Sequence, residues 1–109
     1  MEQAETMKPA PRKIGGCKVA CYSPIDQRHR PTGGCTHIIY GAGPVGPAAG
    51  LAICYCEEEG AYYLFGCDAE WNSVTDSWFQ GLDEAMRQAE FEYEGVSQTW
   101  QYYKPEPPT

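Results

Sequence analysis

One loop of the sequence has the glycine spacing of a nucleotide-binding motif. Residues 41–46 read Gly-Ala-Gly-Pro-Val-Gly and follow a short apolar run. In a dinucleotide-binding fold this loop opens a helix whose backbone N–H groups hold a pyrophosphate. Here that helix would contain Pro47 and Gly50, and the candidate ribose acid, Asp68, lies beyond the usual spacing of about 20 residues. We therefore interpret the segment as a flexible glycine loop.

Four residues near the N-terminus have the side chains of a zinc site. Cys17 and Cys21 are followed by Cys35 and His37. Thiolates and imidazoles are the usual ligands of structural zinc, and a bound metal can fold a segment that lacks a core. Two interpretations stay open, namely a zinc site formed by these four residues, or ordinary loop thiols with a loop histidine. We expect no other cofactor.

The six cysteines indicate a compartment. An even number in a short chain is typical of disulfides only in secreted proteins, and the N-terminus carries no apolar signal segment, so we expect reduced thiols and a cytoplasmic protein. Cys54 and Cys56 are two residues apart on a predicted strand, where a disulfide would be strained. We expect both, together with Cys67, to be small core residues.

The charge of the chain is unevenly distributed. The net charge is −7, yet residues 1–35 contain six basic and three acidic residues, whereas residues 57–94 contain eleven acidic residues and one arginine. An acidic body disfavours nucleic acid as a partner, because the phosphate backbone requires a basic surface. No apolar run is long enough to span a membrane, so we expect no membrane partner. The acids then serve solubility or attract a basic protein.

Several of these acids define a candidate contact surface. They lie at the tip of a predicted hairpin or on the predicted helix away from its apolar stripe, and one exposed aromatic accompanies them: Glu57, Glu58, Glu59, Glu84, Phe91 and Glu94. An aromatic beside acids is typical of a contact with a basic partner, although solvated surface has the same composition.

A hairpin is the first element that must position these residues. Leu51–Cys56 and Ala61–Cys67 are apolar runs joined by three glutamates and Gly60, which is a hairpin pattern. Pairing Cys56 with Ala61 makes both faces of the hairpin apolar, so we expect both to be covered. Residues 71–78 fit a third strand.

A helix follows at residues 82–94. Its apolar residues recur at helical spacing and form one stripe: Leu82, Ala85, Met86, Ala89 and Tyr93. Gly81 is the expected N-cap, and Gly95 stands where a left-handed residue ends a helix. Residues 96–103 read as a last strand. The predicted fold class is therefore α+β, an antiparallel sheet of three to four strands in the order β-β-β-α-β with one helix packed on a face.

The predicted sheet is preceded by a segment without an apolar pattern. Residues 1–34 are basic and rich in proline, glycine and serine, which favours an irregular tail. We interpret His29 as part of a solvated basic patch in this tail. Residues 35–103 then form a single domain, and residues 104–109 a frayed end.

Three segments resemble a group of small bacterial proteins. Residues 63–72 read YLFGCDAEWN, residues 75–78 read TDSW, and residues 89–95 read AEFEYEG. The resemblance covers about residues 62–100. It implies a bacterial, cytoplasmic origin and the strand–strand–helix order, and it carries no established activity.

The sequence as a whole favours binding over catalysis. Neither His29 nor His37 lies near a recognisable nucleophile pattern. We expect a small acidic, non-catalytic protein that acts by protein–protein contact, for example by neutralising a basic toxin or enzyme. The alternative is a protein that binds zinc or a small ligand through its N-terminal Cys/His set, and an enzyme comes third.

Overall fold

The chain folds around an antiparallel sheet. The computed structural model describes residues 8–31, 38–39, 43–44 and 48–103. The described strands are β1 (Lys13–Ile14), β2 (Cys17–Pro24), β3 (Arg30–Pro31), β4 (Ile38–Ile39), β5 (Gly43–Pro44), β6 (Gly50–Cys56), β7 (Ala61–Cys67), β8 (Ser73–Phe79), β9 (Tyr93–Glu94) and β10 (Gln101–Tyr102). Helix α1 (Leu82–Glu92) and a 3-10 turn (Val96–Gln98) complete this part. None of its helices is long and apolar enough to cross a membrane.

The main sheet has the strand order β1-β2-β6-β7-β8, and β10 also pairs with β2. Two small ladders, β3–β9 and β4–β5, lie outside it. The fold is thus α+β, but the predicted three to four strands preceded by an irregular tail are wrong, because β2 is an eight-residue strand inside the sheet, between β6 on one side and β1 and β10 on the other. The predicted domain boundary between residues 34 and 35 and the predicted frayed end at 104–109 lie outside the described residues.

A bulge explains why the sequence pattern of β2 is hard to recognise. The pairing of β2 with β6 shifts between Val19 and Cys21, so that Ala20 is an extra residue. An inserted residue reverses the alternation of side chains along a strand. Accordingly Val19 packs on one face of the sheet and Cys21 on the other.

Both faces of the sheet are covered, as the two apolar faces of the hairpin predict. We call the first the N-terminal face; its buried residues are Ala10, Ile14, Cys17, Val19, Tyr22, Ala52, Cys54, Phe65, Cys67 and Trp71. We call the second the helix face; its buried residues are Cys21, Leu51, Ile53, Leu64, Ala85, Ala89 and Val96. Residues 8–14 cover part of the first face, and α1 covers the second.

The predicted hairpin is confirmed with its register. Cys56 pairs with Ala61 across a four-residue turn, and Gly60 in this turn has φ of +64°. The third strand is also confirmed, although it covers Ser73–Phe79 and leaves Trp71 in the preceding turn.

The predicted helix is confirmed, with an earlier end. Gly81 is its N-cap, and the five residues of the predicted stripe all pack on the helix face. The helix ends at Glu92 because Tyr93 is extended and pairs with Pro31. The predicted strand over residues 96–103 is wrong. The Glu90 carboxylate accepts the N–H groups of Gly95 and Ser97, which begins a 3-10 turn, and only Gln101–Tyr102 is a strand.

Replacing Gly95 with alanine should lower the free energy of unfolding by about 2–4 kcal/mol. Gly95 has φ of +103°, a left-handed conformation, and an added Cβ would lie 2.8 Å from the Arg28 carbonyl oxygen. The matched control is Gly81→Ala, since nothing lies within 4 Å of a Cβ at that position. Chemical denaturation of both variants measures the difference. If both variants lost the same free energy of unfolding, the left-handed conformation and the close Arg28 carbonyl would not explain the requirement for Gly95.

Candidate functional site

The structure does not bring together the two described residues of the predicted zinc site. Cys17 packs on the N-terminal face and Cys21 on the helix face, because the bulge lies between them. Cys35, His37 and most of the glycine motif at 41–46 lie outside the described residues. Within the described part, no group of three or more His, Cys, Asp or Glu side chains is arranged to hold a metal ion. The zinc site stays a prediction.

The expected core role of the strand cysteines is confirmed for two of the three. Cys54 and Cys67 are buried, while Cys56 is half-buried at the edge of the same cluster. Burial raises the pKa of the Cys67 thiol to about 12 and also raises that of Cys54. Both thiols are therefore protonated at neutral pH and unsuited to nucleophilic chemistry.

The predicted contact residues lie at two ends of the sheet. Glu57, Glu58 and Glu59 form the β6–β7 turn, and α1 begins near this end because Phe79, just before it, pairs with Tyr62. The other end of α1 lies beside the start of β6, where the Tyr93 hydroxyl accepts the N–H of Ala48. Hence Glu84 lies towards the acidic turn, whereas Phe91 and Glu94 lie towards the far end.

The predicted exposure of Phe91 is confirmed, since 57% of the residue is accessible. Two of the acids take part in ion pairs on the surface of this chain. The Arg30 Nη2 atom lies 2.7 Å from Glu94 Oε1, and Lys18 Nζ lies 3.8 Å from Glu57 Oε2. Arg30 and Lys18 belong to the basic N-terminal third of the chain. Part of the acidic surface is therefore neutralised by the chain's own basic residues.

A different set of residues forms a compact candidate site on β7 and β8. Trp78 pairs directly with Tyr63, so both side chains lie on the N-terminal face. Trp78 is 54% exposed, although it is the larger aromatic of the pair. The Tyr63 ring stacks on Phe65, with 5.6 Å between ring centroids and 8° between the planes. The exposed aromatic surface is therefore continuous with the core.

Two carboxylates flank this aromatic pair. The Tyr63 hydroxyl donates a hydrogen bond to Glu59 Oε1 at 2.9 Å, which raises the pKa of Tyr63, and the charge of Asp76 contributes to the same shift. Asp76 pairs with Phe65 and so lies on the same face as Trp78. We call Glu59, Tyr63, Asp76 and Trp78 the aromatic–acidic patch. It joins two exposed carboxylates to an exposed indole.

Of this patch, only Glu59 is among the contact residues predicted from the sequence. Trp78 and Tyr63 were included in the predicted strands as apolar residues, and nothing in their types separates a core aromatic from an exposed one. The signal that could have found them is the β7–β8 register. Pairing Tyr63 with Trp78 and Phe65 with Asp76 places an acid and two aromatics on one face.

A second polar cluster is buried beside the helix face. His29 is only 6% exposed, so its interpretation as part of a solvated basic patch is wrong. Its Nδ1 atom accepts the backbone N–H of Asp26 at 3.0 Å, and its Nε2 atom lies 2.8 Å from the Thr99 hydroxyl. That hydroxyl lies 2.7 Å from the hydroxyl of Ser23, which donates to the Pro24 carbonyl oxygen. The sequence gives no sign of this cluster, because its members are up to 76 residues apart.

This cluster joins a histidine to two hydroxyl groups, as hydrolytic sites do, but its hydrogen bonds have the wrong polarity. Because Nδ1 of His29 accepts a hydrogen bond, a neutral imidazole carries its proton on Nε2 and donates it to Thr99. A general base must instead accept the hydroxyl proton. Ser23 is fully buried, so no substrate can reach it. The cluster therefore links three chain segments and does not support hydrolysis.

Asp68, the candidate ribose acid of the glycine motif, has a structural role in a turn. Its Oδ1 atom accepts the N–H groups of Glu70 and Asn72, each at 2.9 Å, and these bonds lower the pKa of Asp68. The turn holds Trp71 at φ of +65°, from where its indole N–H donates to the Lys8 carbonyl oxygen at 2.7 Å. This bond attaches the N-terminal segment to the sheet.

In the comparisons with known proteins, the chain matches no family model, no curated protein and no solved structure.

Proposed function

We propose that this protein acts by binding a basic protein and that the aromatic–acidic patch is the centre of the contact. The observation that carries the proposal is Trp78, an exposed indole opposite Tyr63 with the carboxylates of Glu59 and Asp76 beside it. Large aromatics are enriched at protein interfaces and dominate their binding energy.

The chemistry of the patch fits an arginine side chain of the partner. A guanidinium group stacks on an indole or phenol ring, and its N–H groups donate to carboxylates in a planar arrangement. Glu59 and Asp76 lie on either side of the Tyr63–Trp78 pair and supply the two acceptors. Lysine has the charge but not the planar group, so the patch favours arginine.

The surroundings of the patch support a basic partner. Within the described residues β8 pairs only with β7, so Trp78 stands on an edge strand of the sheet. The net charge of −7 and the acidic β6–β7 turn attract a cationic surface over a longer range and accelerate its association. We infer a non-catalytic role in the cytoplasm of a bacterium, and the free thiols of the described cysteines support a reducing compartment.

Truncating Trp78 should abolish most of the binding to an arginine-rich probe. We expect Trp78→Ala to weaken the binding of a hexa-arginine peptide at least about tenfold, because the variant loses both stacking and desolvation at the centre of the patch. Asp76→Asn should weaken it about threefold. Isothermal titration at about 50 and 300 mM salt measures both effects, and hexa-lysine should bind more weakly than hexa-arginine.

The matched control is Asp83→Asn, which removes the same charge from the first turn of α1. If Asp76→Asn and Asp83→Asn weaken the peptide equally, the attraction is the net charge of the protein and the patch is not a site. Circular dichroism of each variant confirms that the fold is retained. Trp78→Phe, which keeps an aromatic ring, should recover most of the affinity.

A further inference from the structure

We propose that Cys17 and Cys56 form a modification site, a dithiol that closes to a reversible disulfide between β2 and β6. The register of these strands pairs Lys18 with Tyr55 and Val19 with Cys54. Continued by one residue, it places Cys17 directly opposite Cys56. Directly opposed residues of antiparallel strands have Cα atoms about 4.5–5.5 Å apart, within the range of about 4.4–6.8 Å that a disulfide requires.

The side chains of this pair also share a face. Cys17 is buried on the N-terminal face, and Cys56 packs against the same cluster. The register gives the other described cysteines different partners: Cys54 lies between Val19 and Tyr63, Cys67 between Gly50 and Ser73, and Cys21 between Ile53 and Tyr102. Within the described part of the chain, Cys17 and Cys56 are thus the only directly opposed cysteines.

The two thiols have different surroundings, which assigns them different roles. Cys56 is half-buried at the end of β6, where a small oxidant can reach it. Cys17 is buried, and its pKa is raised to about 11 by burial and by the hydrogen bond and charge of Cys56. Cys56 is therefore the attacking thiol, and Cys17 is the resolving thiol that completes the bond.

The oxidant is a low-molecular-weight disulfide, RSSR. The Cys56 thiolate attacks one sulfur of RSSR, the S–S bond breaks, and RS⁻ leaves, which gives a mixed disulfide on Cys56. Cys17 then loses its proton and attacks the Sγ atom of Cys56, so that the second RS⁻ leaves. The two protons of the protein thiols pass to the two leaving groups. Two thiols are oxidised to one disulfide, and RSSR is reduced to two RSH.

The acidic turn next to Cys56 selects among such oxidants. Glu57, Glu58 and Glu59 follow Cys56 directly, and the charges of Glu58 and Glu59 already act on Cys17. A negative field repels an anionic disulfide such as oxidised glutathione and concentrates a cationic one such as cystamine. Cystamine should therefore react faster with the protein, and added salt should reduce its advantage.

Peptide mapping of the full chain tests the proposal. The reduced protein is incubated with cystamine, its remaining thiols are alkylated, and the protein is digested with trypsin. We expect one product in which the peptide 14–18, which contains Cys17, is joined to the peptide 29–87. A further digestion with chymotrypsin, which cuts after Tyr55, should leave the bond on the fragment that begins at Cys56 and not on the fragments that contain Cys35 or Cys54. Two fewer thiols should be alkylated than the six of the sequence. The melting temperature should rise by about 10 °C or more, because the new bond restrains the unfolded chain.

Two single variants and a matched control define the pair. Cys56→Ser should abolish the cross-link, and Cys17→Ser should stop the reaction at the mixed disulfide on Cys56. Cys54→Ser, which removes a neighbouring cysteine of the same strand, should leave the cross-link intact. A bond from Cys17 to Cys35 or Cys54, or a mixed disulfide that persists in the wild-type protein, would overturn the proposal. Circular dichroism of the reduced variants shows that each is folded.

Discussion

Shortening Ile53 to alanine is expected to lower the free energy of unfolding by about 3–4 kcal/mol. Ile53 is fully buried in β6, where it pairs with Cys21 on one side and with Leu64 on the other. It lies on the helix face, among the residues that pack with Ala85 and Ala89 of α1. Because three strands and the helix meet around this side chain, the cavity left by the variant cannot collapse without displacing one of them.

Urea denaturation followed by circular dichroism measures this loss. A small domain has a total stability of about 5–15 kcal/mol, so the melting temperature should fall by about 10 °C or more. The control is Val74→Ala, which also shortens an aliphatic residue of a strand but at an exposed position on β8. It should change the stability by less than about 0.5 kcal/mol. A loss below about 1 kcal/mol for Ile53→Ala would contradict the position of α1 over the sheet.

Replacing His29 with alanine should lower the free energy of unfolding by about 2–4 kcal/mol. The variant loses the acceptor of the Asp26 backbone N–H and the partner of the Thr99 hydroxyl, and it leaves a cavity where the buried ring stood. The Thr99 hydroxyl can still donate its proton to the Ser23 hydroxyl or to the Val96 carbonyl oxygen, so the loss of stability comes mainly from the unpaired Asp26 N–H and the cavity.

A double-mutant cycle with Thr99→Val isolates the bond between the two side chains. We expect a coupling energy of about 1 kcal/mol or more between His29→Ala and Thr99→Val, because each variant removes one end of the same hydrogen bond. Additive losses within about 0.3 kcal/mol would show that the two residues stabilise the fold independently. His29→Gln, which keeps polar atoms in the site, should lose less stability than His29→Ala.

The elements that could be predicted from the sequence are those whose contacts are local. The β6–β7 hairpin has a turn that identifies it, and its register follows from counting outwards from Cys56 and Ala61. The apolar residues of helix α1 recur at helical spacing from Leu82 to Ala89, and Tyr93 continues the stripe just after the helix ends. In both elements the side-chain periodicity and the backbone geometry agree over several successive residues.

β2 could not be predicted, for two physical reasons. Its alternation is interrupted at Ala20, so that no window of the strand shows a single period. The second reason is the prolines, which are typical of a tail. Pro9 and Pro11 precede the strand and Pro24 is its last residue, so none of them removes a hydrogen bond from the strand interior.

Only the negative charge of the candidate site could be predicted from the sequence. The acidic turn at 57–59 is visible in the sequence, whereas the exposure of Trp78 is a tertiary property that its residue type and neighbours in the chain do not encode. His29 was misinterpreted for the same reason. Its basic neighbours Arg28 and Arg30 are exposed, and only the tertiary contact with Thr99 places the ring between them in the interior.

The order in which the strands are synthesised differs from the order in which they can pair. β6, β7 and β8 are consecutive, so each can close on its neighbour as it emerges from the ribosome. β2 emerges earlier, yet residues 25–49 separate it from its long partner β6. Until β6 has been made, the apolar residues of β2 are exposed on both faces of the nascent chain. The interval during which a ribosome-bound chain needs protection from aggregation therefore begins with β2 and ends only when β6 and its hairpin partner are complete.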